Sequence, residues 1–361
     1  SVSARAVEVS APSALLMEKE TGTVLFAKNE HEKLEPASVT KIMTLLLTMD
    51  AIDSGALAYD DVVTVSANAA GMGGSQVFLA EGEQITVEEL LKCVCVSSGN
   101  DAAVALAEKV AGVTELFVEQ MNNRARGLGM DDTHFANPTG LTAAGHVTSA
   151  YDIALMSREL LTKHPDIRNF TTIWTDSIRN GTFDLANTNK LIRFYSGATG
   201  LKTGFTSGAG YCLSASAMRD GMELIAVVMG AETSQSRNAA CKSLLDYGFA
   251  AYRAAPVPLP QERPLQLKVK GSTEETVPLD YAALPQTALL PAESAGQLTV
   301  QLELPDTLEA PVTRGQTVGK AQLLCGEAVQ GEYPVCAAAD APRMDVDTCL
   351  LYTSPSPRDR T

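Results

Sequence analysis

Pro36-Ala-Ser-Val-Thr-Lys-Ile-Met-Thr-Leu-Leu-Leu-Thr-Met49 follows a loop-like stretch and opens a long apolar run. Beyond the proline, Ile42, Leu45, Leu46 and Met49 recur at helical spacing, so residues 38–51 read as an amphipathic helix that starts at the serine. Residues three apart share a helix face, which puts the Lys41 amine within reach of the Ser38 hydroxyl. A serine is a weak nucleophile until a neighbouring base takes its proton. A lysine desolvated at a pocket floor can have its pKa lowered enough to do so. A helix N-terminus at Ser38 would add backbone N–H groups and a positive dipole end. Taken alone, the pair reads more simply as an N-cap serine and a solvated first-turn lysine.

Working outward, residues 14–26 read as two strands joined by a turn at Glu20-Thr-Gly22. Downstream, helices are expected over 86–96, where Thr86-Val-Glu-Glu89 is a capping-box signature, and over 101–111, 114–126 and 151–162. From Thr199 the text turns to glycine-punctuated, strand-like runs. Residues 210–217 and 223–229 read as adjacent antiparallel strands, and 236–251 as a closing helix with Leu244, Leu245 and Phe249 on one face. Two strands, a helical block, more strands and a last helix predict one α+β domain over residues 1–253, its antiparallel sheet joining both ends of the segment. Residues 254–264 carry four prolines and read as a linker. Period-two alternation in Leu265-Gln-Leu-Lys-Val-Lys270 and Leu298-Thr-Val-Gln-Leu-Glu-Leu304 predicts a small all-β domain over 265–345, a spacer or docking module without its own cluster of titratable groups. The final stretch, 349–361, resembles the in-frame translation of a transposase sequencing adaptor and is set apart from the fold.

The 361 residues are 45% hydrophobic, and 28 Lys plus Arg against 43 Asp plus Glu give a net charge of −15, which argues against nucleic acid as a partner. Apolar runs such as Ile42–Leu47 fall far short of the roughly 18–20 residues of a spanning helix. Ser-Val-Ser-Ala-Arg-Ala6 has the small-residue look of a signal-peptide cleavage region, so export is expected. Seven cysteines without a C-x-x-C pair make neither a zinc site nor a disulfide scaffold. Cys93 and Cys95 read as buried hydrophobes, and a hairpin disulfide between Cys325 and Cys336 is left open, conditional on an oxidising compartment. No metal or organic cofactor is expected.

Two further tripeptides carry chemistry. Ser98-Gly-Asn100 falls in a break between helices, where Gly99 permits an unusual backbone and places a proton-relaying hydroxyl beside an amide that can hold a substrate carbonyl. Lys202-Thr-Gly204, followed by Phe205, heads the strand-rich region. A cation and hydroxyl there suit a carboxylate, and the glycine lets a ligand backbone approach the strand edge. Each alone also reads as turn chemistry or a charged edge strand. Together S-x-x-K, S-x-N and K-T-G, in that order, form the motif set of penicillin-binding proteins and serine β-lactamases.

Over residues 12–345 the chain resembles the low-molecular-mass penicillin-binding proteins, the D-alanyl-D-alanine carboxypeptidases of the S11 serine peptidase family. The flanking text Ser98-Gly-Asn-Asp-Ala102, Asn137-Pro-Thr-Gly-Leu141 and Leu245-Asp-Tyr-Gly-Phe249 carries the resemblance beyond the motifs. The resemblance implies a penicillin-binding, β-lactamase-like catalytic domain followed by a small all-β domain. It makes Ser38 the acylated nucleophile, Lys41 its base, Ser98 a proton relay and Asn100 a holder of the substrate amide. Lys202, Thr203 and Gly204 would bind the terminal carboxylate side, with an oxyanion hole from the N–H groups of Ser38 and Phe205. Members of the family often carry histidine where Phe205 stands; a main-chain donor survives that change. Arg237 matches an arginine placed near the carboxylate site, and reads equally as a solvated helix-start residue. The implied reaction removes the terminal D-alanine from peptidoglycan stem peptides, with β-lactams as covalent inhibitors. A class A β-lactamase would carry a glutamate between the second and third motifs, and 137–146 holds no acid. Endopeptidase action on cross-links stays open beside it. The family commonly ends in an amphipathic helix on the outer face of the cytoplasmic membrane, so peripheral membrane contact is expected through a segment missing from the text before 349.

Overall fold

The computed structural model describes residues 7–294 and 296–344. The expected cleavage region at 1–6, the adaptor-like tail and Cys349 lie outside the described residues. The chain divides into two units between Ala251 and Tyr252.

In the first unit, β1 (Ser13–Glu18) and β2 (Val24–Lys28) form the opening hairpin, and β3 (Ala198–Thr206), β4 (Gly210–Arg219) and β5 (Met222–Ala231) follow much later in the chain. All pair antiparallel in the order β2-β1-β5-β4-β3, so the N-terminal hairpin completes a sheet begun by the C-terminal strands. β1 and β5 are buried on both faces, because helices cover both, and they read accordingly as nearly continuous apolar runs rather than alternating ones. The helices α1 (Lys41–Asp53), α2 (Val87–Ser97), α3 (Asn100–Ala111), α4 (Thr114–Gly127), α5 (Ala150–Lys163) and α6 (Ser234–Ala251) include every helix expected from the periodicity, within a few residues at each end. Thr86 caps α2 by accepting from the Glu89 N–H at 3.2 Å. The α1 side chains from Lys41 to Met49 are all buried, which makes it the central helix of the unit. β3, which carries Lys202-Thr-Gly204, is one of the two edge strands of the sheet, β2 being the other.

The second unit is all β. A six-stranded sheet joins Gln266–Lys270, Thr276–Asp280, Leu298–Glu303, Thr307–Glu309, Thr317–Cys325 and Ala328–Ala337, and a separate ribbon pairs Tyr252–Pro256 with Thr287–Pro291. The ribbon corrects the expected linker: residues 254–256 are a strand, and the unit begins at Tyr252 instead of 265. Proline density hid it, yet Pro256 closes the strand at its end, where a missing N–H is tolerated. Cys325 and Cys336 are free thiols; they face Ala328 and Thr317 across the ladder, not each other. Among the described residues no helix is long and apolar enough to cross a membrane.

Candidate active site

Ser38 does not begin an α-helix. Residues Ala37–Thr40 form a 3-10 turn, and α1 starts at Lys41. The tighter turn eclipses side chains at i and i+3, which stacks Lys41 over Ser38 more directly than an α-helix would. Ala37 enters this turn at φ +49°, a left-handed conformation that a non-glycine residue adopts only when its surroundings impose it. The imposing neighbour is Gly140 at φ +90°, packed so closely that a Cβ there would lie 1.8 Å from the Ala37 carbonyl oxygen. Asn137 fixes that loop: its Oδ1 accepts from the Gly140 N–H at 2.8 Å and its Nδ2 donates to Leu141 O at 2.9 Å. His146 ties the same segment to the turn. Its Nδ1 accepts from the Ala136 N–H at 2.8 Å, so the ring is neutral and Nε2–H donates to Thr40 Oγ1 at 2.8 Å. Burial pushes this imidazole down to about 4, in keeping with that neutral tautomer.

Lys41 is fully buried, whereas Ser38 is partly exposed. Lys41 Nζ lies 2.7 Å from Ser38 Oγ, 3.3 Å from Ser98 Oγ and 2.6 Å from Asn100 Oδ1. Burial, reinforced by the charge of Lys202, holds its pKa well below the ordinary lysine value. A neutral amine has two N–H donors and one lone pair, and three partners use all three. Asn100 Oδ1 can only accept, so a serine hydroxyl can point its proton at the lone pair.

Ser98 and Asn100 arrive from the α2–α3 junction. The left-handed residue there is Ser98, at φ 60°, and not Gly99, which is extended. Gly99 is needed for space: a Cβ would come within 3.0 Å of Asp101 Oδ1 and 3.4 Å of Ala102. Asn100 starts α3, and its Nδ2 donates to Gly73 O at 2.8 Å, which leaves one N–H of that amide without a bond to the protein. Asp101, which motif reading passed over, is buried and accepts from the N–H groups of Val77 and Leu79 at 3.2 and 2.9 Å, tying residues 75–79 to this junction.

On the facing edge, Lys202 is buried and donates to Thr203 O at 2.9 Å. Burial, with the Arg237 charge acting the same way, brings its pKa down to about 7. Thr203 pairs its hydroxyl with Thr188 at 2.7 Å, another residue no motif flagged. Gly204 is where β3 meets the Ser38 turn, since a Cβ would stand 2.9 Å from both Pro36 O and Ser38 N. Phe205 is 54% exposed and stacks on Tyr211 at 4.3 Å, and the Arg237 guanidinium lies over the same Tyr211 ring at 5.7 Å. Arg237 is buried, not solvated, and among the described residues it has no acidic partner.

The profile of the Peptidase S11 family, described as D-alanyl-D-alanine carboxypeptidase, matches residues 1–233. The chain belongs to this family. A second profile, the C-terminal domain of penicillin-binding protein 5, matches residues 261–343. D-alanyl-D-alanine carboxypeptidase DacF of Bacillus subtilis is 43% identical over 346 residues, covering 95% of this chain and 89% of that protein. The structure of penicillin-binding protein 5 from Haemophilus influenzae superposes with a TM-score of 0.83 at 29% identity, covering 94% of this chain and 99% of that one. Penicillin-binding protein D2 from Listeria monocytogenes in its cefotaxime-bound form reaches 0.63 at 31% identity, over 68% of this chain and 99% of that one. The chain is thus a serine D-alanyl-D-alanine carboxypeptidase of the penicillin-binding type, with an all-β C-terminal domain.

Proposed function

We propose that Ser38, Lys41 and Ser98 cleave the terminal D-alanine from peptidoglycan stem peptides through an ester on Ser38, with Asn100, Lys202, Thr203, Gly204, Phe205 and Arg237 binding the substrate. The observation that carries this reading is the fully buried, pKa-lowered Lys41 amine touching Ser38, Ser98 and Asn100 at once. The edge of β3 offers unpaired main-chain groups on which an extended peptide can lie as an added strand. Its C-terminal carboxylate then meets Lys202 and Thr203, with Arg237, which has no acid of its own, adding charge.

Ser38 Oγ attacks the carbonyl carbon of the penultimate D-alanine as Lys41 Nζ takes its proton. The developing oxyanion lies between the N–H groups of Ser38 and Phe205, which Gly204 allows to come together. Collapse breaks the C–N bond. The proton passes from Lys41 through Ser98 Oγ to the departing amine, which leaves as D-alanine. Water, deprotonated by the now neutral Lys41, attacks the ester, and Ser38 recovers its proton as the shortened peptide leaves. A β-lactam acylates the same oxygen, but its amine stays tethered to the acyl group and obstructs water. Peptidoglycan as substrate puts the enzyme outside the cytoplasmic membrane. The test is D-alanine release from Nα,Nε-diacetyl-L-lysyl-D-alanyl-D-alanine: the native enzyme turns it over and Ser38→Ala does not. Undiminished turnover by Ser38→Ala would defeat the reading.

A further inference from the structure

Arg237 stands where a purely structural arginine would be poorly placed. It is buried in the first turn of α6, the helix end that disfavours a cation. Its side chain donates from Nε to Asn238 Oδ1 at 3.1 Å, and among the described residues its terminal nitrogens have no acceptor and no carboxylate pairs with it. What the guanidinium does touch is a ring. It lies over Tyr211, 5.7 Å from the centroid, within the roughly 6 Å over which a cation is drawn to an aromatic face.

The sheet sets that ring. Tyr211 is opposite Phe205 in the β3–β4 ladder, and the two rings stack at 4.3 Å with 28° between their planes. On its other side Tyr211 faces Ala231, beyond a bulge: between the pairs Leu213–Val228 and Tyr211–Ala231 the β5 strand carries one extra residue, with Gly230 at φ +72°. A bulge bends the strand that holds it, here at the end from which the chain turns into α6 and Arg237. Tyr211 thereby joins the strand of Lys202-Thr-Gly204 to the helix of Arg237, whose charge is felt at Lys202.

We propose that Tyr211 is a positioning residue of the carboxylate site: its ring, braced by Phe205, holds the Arg237 guanidinium in the place where an acid would otherwise stand. The proposal rests on the functional reading above, in which Arg237 adds charge for the terminal carboxylate of the substrate. An acid would fix the guanidinium as firmly, but it would occupy the N–H fork and cancel the charge that an incoming carboxylate meets. A ring attracts the cation through its face and uses none of its N–H donors, so the terminal nitrogens stay available to the ligand. The contact needs the ring and not the phenol hydroxyl.

The test uses two acyl donors built on Nα,Nε-diacetyl-L-lysyl-D-alanine: its thioester with thioglycolate, which carries a carboxylate, and its S-ethyl thioester, which does not. Thiol release gives kcat/KM for each, and their ratio, taken within one preparation, is insensitive to the fraction of active enzyme. The native enzyme is expected to prefer the carboxylate donor. Tyr211→Leu cuts that preference by about threefold to tenfold, and Tyr211→Phe, which keeps the ring, restores it to within about twofold of native. In an Arg237→Gln background, where the preference is already reduced, Tyr211→Leu lowers it no further. A native preference in Tyr211→Leu, a loss shared by Tyr211→Phe, or a further loss in the Arg237→Gln background overturns the assignment and leaves the carboxypeptidase reading intact. A preference untouched by Arg237→Gln, or absent from the native enzyme, takes Arg237 out of carboxylate recognition and Tyr211 with it. Undiminished thiol release by Ser38→Ala would overturn the acyl-enzyme reading itself.

Discussion

The two units bury their polar groups differently. Among the described residues, every buried polar or charged side chain, Lys41, Asp101, Lys202 and Arg237 included, lies before residue 238, and the second unit contributes none. Its sheet follows the simpler rule: Gln266–Lys270 alternates exposed and buried, its interior is filled by residues such as Val277, Leu290 and Val335, and its ion pairs, as at Lys320 with Glu332, are on the surface. Burying a charge is unfavourable unless the fold supplies partners or lowers the charge, so a unit that does it repeatedly is organised around chemistry, while one whose sole such case among the described residues is a buried Arg263 Nε on a partly exposed side chain is organised around packing. The first unit also holds the positive-φ crowding at Ala37 and Gly140 that shapes the turn carrying Ser38.

That contrast can be attacked from its strongest point downward. Replacing Lys41 with Met, which keeps the volume and removes the base, should slow acylation by benzylpenicillin roughly 10²–10⁴-fold, read by stopped-flow or quenched mass analysis. Gly140→Ala should destabilise the first unit by about 2–4 kcal/mol in denaturant melts and slow acylation as well, because the new Cβ meets the Ala37 carbonyl and L residues resist φ +90°. Acylation that is normal in this variant would mean that the 137–141 loop does not position Ser38.

A milder test uses pH. Lys41 must be neutral to accept a proton, so kcat/KM for a D-alanyl-D-alanine peptide rises with pH on the acid side as its lowered pKa is crossed. On the proposed mechanism Lys202 holds the carboxylate only when charged, so the same quantity falls as pH rises above about 7. The profile is a bell, and Lys202→Arg, which keeps its charge, moves the alkaline limb upward even where it weakens binding. A flat alkaline side in the native enzyme would remove Lys202 from carboxylate recognition. The smallest effect belongs to the other unit: Leu290→Ala should remove about 2–5 kcal/mol of its stability and leave the penicillin acylation rate within about twofold of native.

Much of this was legible in the residues. Local patterning located four of the five strands of the first unit's main sheet and α1–α6, and three short motifs named the side chains that meet at the site, because both signals are local. The details that were not legible depend on contacts distant in sequence or on fine backbone choices. Four residues are too few for periodicity to separate a 3-10 turn from a first α-turn at Ser38. The left-handed residue fell on Ser98 because Gly99 is used for close approach to Asp101, a choice that composition does not reveal. Gly140 was visible only as text flanking the motifs; its meaning comes from contact with Ala37, about a hundred residues earlier. The strand at Tyr252–Pro256 was masked by the prolines that follow it.

The central claim is that Ser38 is the acylated oxygen and that the surrounding site deacylates slowly when the leaving amine remains tethered. Intact-protein mass after mixing with benzylpenicillin, followed over hours with peptide mapping, tests it directly. The account predicts one long-lived penicilloyl adduct on the peptide containing Ser38. An adduct on another residue, or penicillin consumed with no lasting adduct, would contradict it.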